Sequence, residues 1–272
     1  MSPLAEVFAR ARARGQAALV GYLPAGYPSV DAAAAAMVAM VEAGVDVVEV
    51  GLPYSDPLMD GATIQAAAEG ALRAGTRTAD VFETVRRVAA TGAPALVMSY
   101  WNPVERYGVD RFAADLAAAG GAGVITPDLI PEEAGPWLAA TDAAGLDRVF
   151  LVAPSSTDAR LELTARHCRG FVYAASTMGV TGARDAVSGA ARALVRRLRA
   201  VTDLPVCVGL GVSNAAQAAE VAGYADGVIV GSALVRRLLD APDEATGVAA
   251  VRALAAELAT GVRSASRARV QA

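Results

Sequence analysis

The chain has 272 residues, 54% of them hydrophobic and 19% charged, with a net charge of −4. That balance excludes intrinsic disorder, which needs low hydrophobicity and high net charge. It also argues against a nucleic-acid binder, whose binding face is normally basic. All 24 basic residues are arginine, so no lysine Schiff base and no phosphate-loop lysine can form. The one histidine and two cysteines do not make a zinc-ligand pattern, and unpatterned cysteines point to a reducing cytoplasm.

The first fifteen residues, MSPLAEVFARARARG, lack the apolar core of a secretory signal and read as an amphipathic cap helix. No apolar run approaches the ~20 residues of a membrane span. Short β-branched runs then recur at 18–23, 45–51, 95–100, 123–126, 148–153, 170–174, 205–209 and 227–230. Helical periodicity fills the intervals 30–43, 64–74, 104–119, 131–144, 158–167, 190–201, 214–222 and 233–239. The second unit is long enough for an additional helix over 79–90, and a helical tail covers 242–269.

Strands alternating with helices predict a parallel sheet, with strands buried on both faces. Eight such units in ~250 residues predict a (β/α)8 TIM barrel. Extra helices stand at the N-terminus and after strand two, and residues 1–272 form a single domain. An open doubly wound sheet is the structural alternative. In a barrel, the C-terminal ends of the strands carry the chemistry, so those ends decide which residues to weigh.

Glu49 ends the second strand on the same face as Val45 and Val47. A carboxylate there loses solvent, which raises its pKa and suits it to proton transfer. A Glu satisfied by a neighbouring arginine is the plainer alternative. The following loop, PYSDPLMDG, brings Asp56 and Asp60. Either aspartate could simply serve a turn, yet Asp60 lies over the same rim as Glu49, and two carboxylates can divide acid and base roles. Glycines follow strands six, seven and eight at Gly179, Gly182, Gly209, Gly211 and Gly231. Beside helix N-termini they allow an anion to approach backbone amides. With no lysine, amides and Ser232 do the binding in this reading; tight turns alone are the alternative. Tyr22, Tyr100 and Tyr173 stand at strand ends, where they line a flat apolar pocket or serve as ordinary rim residues. Cys207, in an apolar run, reads as core and not as a nucleophile.

The segment EVGLPYSDPLMDGATIQ, 49–65, closely resembles the signature of the tryptophan synthase alpha subunit family. GYLPAGYPS, SYWNPVERYG, PDLIPEEA, FVYAASTMGVTGAR, GLGVS and GSALV extend the resemblance along the whole chain. The resemblance implies retro-aldol cleavage of indole-3-glycerol phosphate to indole and glyceraldehyde 3-phosphate, with no metal or cofactor in this chain. It implies that Glu49 is the general acid/base and that Asp60 meets the indole N–H. Tyr173 then orients Asp60, and Thr181 and Gly182 belong to a closing loop. Leu210, Gly211, Gly231 and Ser232 form the phosphate cradle, and Tyr22, Tyr100, Leu129 and Leu151 surround the indole. It further implies a pyridoxal-phosphate beta subunit, an alpha2-beta2 assembly with indole passed through a tunnel, and a partner surface that includes Pro53 and Asp56. No membrane or nucleic-acid partner is implied. Met59, Ala62 and the Ser176–Thr177–Met178 run depart from common family residues. Other phosphate-binding barrels and a non-catalytic activating subunit are the rival readings. The Glu49–Asp60 pair disfavours both.

Overall fold

The computed structural model describes residues 1–175, 184–209 and 211–265, without the side chains of 184–188. It opens with α1 (Pro3–Ala13), capped by the Ser2 hydroxyl, which accepts from the Ala5 amide. Then follow β1 (Ala18–Pro24), α2 (Val30–Glu42), β2 (Val47–Gly51), α3 (Ala62–Arg73), α4 (Thr78–Ala89) and β3 (Ala95–Met98). Next come α5 (Trp101–Tyr107), α6 (Val109–Ala118), β4 (Gly123–Ile125), a 3-10 turn (Pro131–Glu133), α7 (Gly135–Ala144), β5 (Asp147–Val149) and β6 (Leu151–Val152). The chain continues through α8 (Asp158–His167), β7 (Val172–Ala175), α9 (Arg184–Arg199), β8 (Val206–Gly209), α10 (Ala215–Ala222), β9 (Gly227–Val230), α11 (Ser232–Leu239) and α12 (Glu244–Ser264).

Every strand pairing is parallel, in the order β5-β4-β3-β2-β1-β9-β8-β7-β6. The two ends of that order, β5 and β6, are halves of one strand. Between them the Phe150 amide turns to the Cys168 sulfur at 3.4 Å, which interrupts the ladder for one residue. The Tyr173 amide still reaches the Phe150 carbonyl at 3.3 Å. Nine segments therefore occupy eight positions, and the ring closes as the predicted TIM barrel rather than the open sheet.

Period-two alternation divides each strand between two cores. Val48 and Val50 of β2 face the helical layer, while Val47 joins an inner cluster with Val20, Leu96, Ile125, Val149, Cys207 and Ile229. Leu4, Val7 and Phe8 of α1 and the adjacent Phe171 complete that inner cluster. Glu49, two residues beyond Val47, is thereby placed in the uppermost inward layer. Cys207 is fully buried, in agreement with its reading as core.

Two predicted helices are divided. The 104–119 pattern is broken at Gly108, whose φ of 98° is left-handed and belongs to neither α5 nor α6. The 131–144 pattern opens as a 3-10 turn before α7. The extra helices at the N-terminus and after β2 are present as α1 and as the α3–α4 pair. The expectation of no span-length apolar run needs amendment: among the described residues α12, with 21 residues, is long and apolar enough to cross a membrane by length and composition. Its apolar face, including Val251, Leu254, Leu258 and Val262, is buried in the main core. Its polar face bonds Arg252 to Glu42 at 2.8 Å and Glu257 to the Ala215 amide at 3.1 Å.

Candidate active site

A cavity of about 650 Å³ opens at the C-terminal rim of the barrel. Glu49, Asp60, Tyr22, Leu151, Tyr173, Gly211, Gly231 and Ser232, all singled out in the sequence, line it. Tyr100 and Leu129 do not. Leu129 is buried in the outer core, and Tyr100 stands behind Asp60.

Glu49 is 1% exposed and pairs across the strands with Tyr22. Among the described residues its Oε1 has no hydrogen-bond partner, and no arginine satisfies it. Burial alone pushes its pKa up to about 8. A buried unpaired carboxylate is costly when ionised, so Glu49 holds its proton at neutral pH and can deliver it into the cavity.

Asp60 immediately precedes Gly61, the N-cap residue of α3. The Tyr100 hydroxyl donates to Asp60 Oδ1 at 3.0 Å, and the Gln65 side-chain Nε2 donates to the Asp60 carbonyl at 2.6 Å. Burial raises the Asp60 pKa, and the Tyr100 hydrogen bond opposes that rise. The nearby helix N-terminus also favours the anion. The resemblance gives the orienting role to Tyr173, but in this structure the hydroxyl on Asp60 is that of Tyr100. The loop after β2 runs over the end of β3 and carries Asp60 there, whereas β7 lies on the opposite side of the barrel. Tyr173 feels Glu49, Cys207 and Tyr22 instead, and burial drives its pKa well up.

Two glycines make room for the tyrosines. A Cβ on Gly51 would lie 2.7 Å from the Tyr22 ring, and one on Gly209 would lie 2.6 Å from the Tyr173 hydroxyl. Thus both rings lie across neighbouring strands instead of filling the cavity.

Ser232 opens α11, whose Leu234 and Val235 amides already bond the Gly231 carbonyl at 2.9 and 3.0 Å. The preceding amides, of Ser232 and Ala233, are left at the open helix end. Gly211, at a φ of 60°, lines the same side. Thr181, Gly182 and Leu210 lie outside the described residues. Sequence reasoning missed Met98, two residues past the inward Leu96, and Arg236, one turn past Ser232. Period-two and i,i+4 spacing respectively carried those signals. Among the described residues no group of three His, Cys, Asp or Glu could hold a metal ion.

The loop between Glu49 and Asp60 is tied to its neighbours. Asn102 donates to the Tyr54 hydroxyl at 2.8 Å, Tyr54 and Tyr100 have ring centroids 5.5 Å apart, and the Trp101 amide bonds Asp128 at 2.9 Å. Asp56 is exposed and accepts from Ser55 at 2.6 Å. Pro53 is buried within the chain, because it is where the loop leaves β2, so it offers no surface to a partner as it stands. The exposed apolar side chains nearby are Leu58, Met59 and Ile130, at 76%, 46% and 44%.

The family described as tryptophan synthase alpha chain matches residues 8–263. The chain belongs to the tryptophan synthase alpha chain family. The alpha chain of Thermobifida fusca is 65% identical over 98% of this chain and 100% of its own length. That of Salinispora arenicola is 65% identical over 97% of this chain and 99% of its own. A structure of Mycobacterium tuberculosis tryptophan synthase superposes with a TM-score of 0.90 at 61% identity, covering 96% of this chain and 98% of that one. The Legionella pneumophila alpha subunit still superposes at 0.87 with 32% identity, covering 96% of this chain and 98% of that one. As a tryptophan synthase alpha chain, this protein is a lyase: it cleaves indole-3-glycerol phosphate to indole and glyceraldehyde 3-phosphate, and a beta subunit uses the indole to make tryptophan.

Proposed function

We propose that Glu49 and Asp60 divide the cleavage between them. Glu49, protonated at neutral pH, gives its proton to C3 of the indole ring. The ring becomes a cationic indolenine whose charge at nitrogen faces ionised Asp60. The Glu49 carboxylate then takes the proton of the hydroxyl on the carbon attached to C3. That oxygen becomes an aldehyde carbonyl as the carbon–carbon bond breaks, and the bonding pair returns to the ring. Protons and electrons balance, with no oxidant and no Schiff base.

The observation that carries this reading is the orphaned, proton-holding Glu49 opening into the same cavity as a Tyr100-supported Asp60. In the same reading, Tyr22, Leu151, Tyr173 and Met98 flank the indole. The phosphate rests on the amides at the start of α11 and on the Gly211 turn, Leu210 completes the cradle, and Thr181 and Gly182 keep the role of closing loop that the resemblance implies. We assign the chain no cofactor, with pyridoxal phosphate belonging to the beta subunit. The assembly is alpha2-beta2, met through the exposed Leu58–Met59 end of the β2 loop with Asp56 beside it. The residues form one barrel domain. Its two free, buried cysteines suit the cytoplasm. The deciding experiment incubates the chain with indole-3-glycerol phosphate, with and without beta subunit, and assays indole. Release of indole that is unaffected by chelators and borohydride supports the reading, and no release in either arm overturns it.

A further inference from the structure

We propose that Arg236 sets the preference of this site for a phosphorylated three-carbon fragment over the same fragment without its phosphate. The inference rests on the cavity being the indole-3-glycerol phosphate site. Arg236 is the only cationic side chain among the described residues that line the cavity. It stands four residues after Ser232 on α11, and residues at that spacing share one helix face. Both line the cavity, so Arg236 stands one turn along the wall from the start of the helix.

Its charge is uncommitted. Fifteen ion pairs occupy other arginines, and among the described residues none involves Arg236. It donates instead to a neutral acceptor, Thr63 Oγ1, at 2.6 Å. The cavity's carboxylates do not use it either: burial leads at both Glu49 and Asp60, and no arginine figures at either. A guanidinium held by a hydroxyl loses little by exchanging it for a dianion, because charge-assisted bonds are about twice as strong as neutral ones. An independent mark of a ligand is Glu49, 1% exposed with Oε1 unpartnered, facing the same space.

The reverse reaction offers the test, because the aldehyde can be supplied with or without phosphate. The full chain condenses indole with glyceraldehyde 3-phosphate or with glyceraldehyde, and the ratio of the two kcat/KM values is read. Arg236→Gln should lower that ratio about 10- to 100-fold, the scale of one hydrogen bond to a charged group, while glyceraldehyde kinetics stay within about threefold. Inhibition by glycerol 3-phosphate should weaken by the same factor. Arg236→Lys should retain most of the ratio. Thr63→Val, which breaks the existing bond, should leave it unchanged. An unchanged ratio in Arg236→Gln, an equal loss with both aldehydes, or a Thr63→Val variant that reproduces the loss overturns the proposal. Wild-type protein that condenses neither aldehyde overturns the functional reading itself, and this inference with it.

Discussion

The Tyr100 hydroxyl donates to Asp60 Oδ1 at 3.0 Å and accepts the Met59 amide at 3.0 Å. A single side chain at the end of β3 thus fixes both the carboxylate and the backbone beside it, and burial pushes its own pKa up to about 12. The phenol therefore stays a donor throughout the working pH range. Tyr100→Phe removes the bond that opposes the burial-driven rise of the Asp60 pKa. Cleavage should fall about tenfold while stability drops by about 1 kcal/mol, the net worth of one such bond. Because the proposed mechanism uses ionised Asp60, the acid limb of the pH–rate profile should move to higher pH. A limb that stays put would remove Tyr100 from its supporting role.

In the proposed mechanism Glu49 begins protonated, ready for C3. With its pKa near 8, kcat/KM should decline above that pH and hold a plateau below it, down to the Asp60 limb. Glu49→Gln should cut indole release by at least ~100-fold, the low end for loss of a general acid–base group. Near-normal turnover by folded Glu49→Gln protein would sink the assignment.

The same group bears on stability. Its folded pKa lies above the unfolded value of 4.5, so the folded state binds the extra proton between those two values. Stability therefore falls as pH rises through that window, and the penalty is complete above about pH 8. Glu49→Gln has no such penalty. Its stability relative to wild type should increase from pH 5 to pH 9, by at most on the order of 4 kcal/mol. Parallel denaturant titrations at the two pH values measure it, and equal slopes with pH would contradict the burial of an unpaired carboxylate.

Gly51 is where the Tyr22 ring crosses β2. Gly51→Ala inserts a methyl into that crossing. Overpacking of this kind costs about 1–3 kcal/mol, and here it should also tip Tyr22 into the cavity and raise KM for indole-3-glycerol phosphate. A thermal melt together with a KM measurement checks both parts.

Leu58 is 76% exposed at the outer turn of the loop that ends in Asp60. Leu58→Asp should leave the fold and the isolated activity unchanged but weaken the response to beta subunit. A titration monitored by indole release and by gel filtration reads it, and a wild-type titration curve would move the partner surface elsewhere.

The strands and most helices were legible because buried parallel strands leave continuous apolar runs bounded by glycine and proline. Glu49 was legible for the same reason, as an acid at the inward C-terminal end of such a run. Helix 104–119 was misjudged because its apolar spacing continues through Gly108, whose backbone angle no periodicity reveals. The Tyr100 hydrogen bond to Asp60 was not legible because a loop's path over the rim depends on tertiary ties, here Asn102 to Tyr54 and Tyr54 against Tyr100. Leu129 was placed at the pocket by the family resemblance, yet it is buried in the main core cluster and does not line the cavity. Arg236 was passed over because it sits inside a helix, one turn from the glycine that drew attention.

The inner cluster beneath Glu49, stoppered by Leu4, Val7 and Phe8, makes the barrel a blind vessel. In the proposed reading substrate, aldehyde and indole use the mouth at the rim that also bears the Leu58 loop. A partner that caps this mouth therefore takes custody of the indole without any passage being bored through the barrel itself. The dead-end floor, far from the chemistry, decides the direction of traffic.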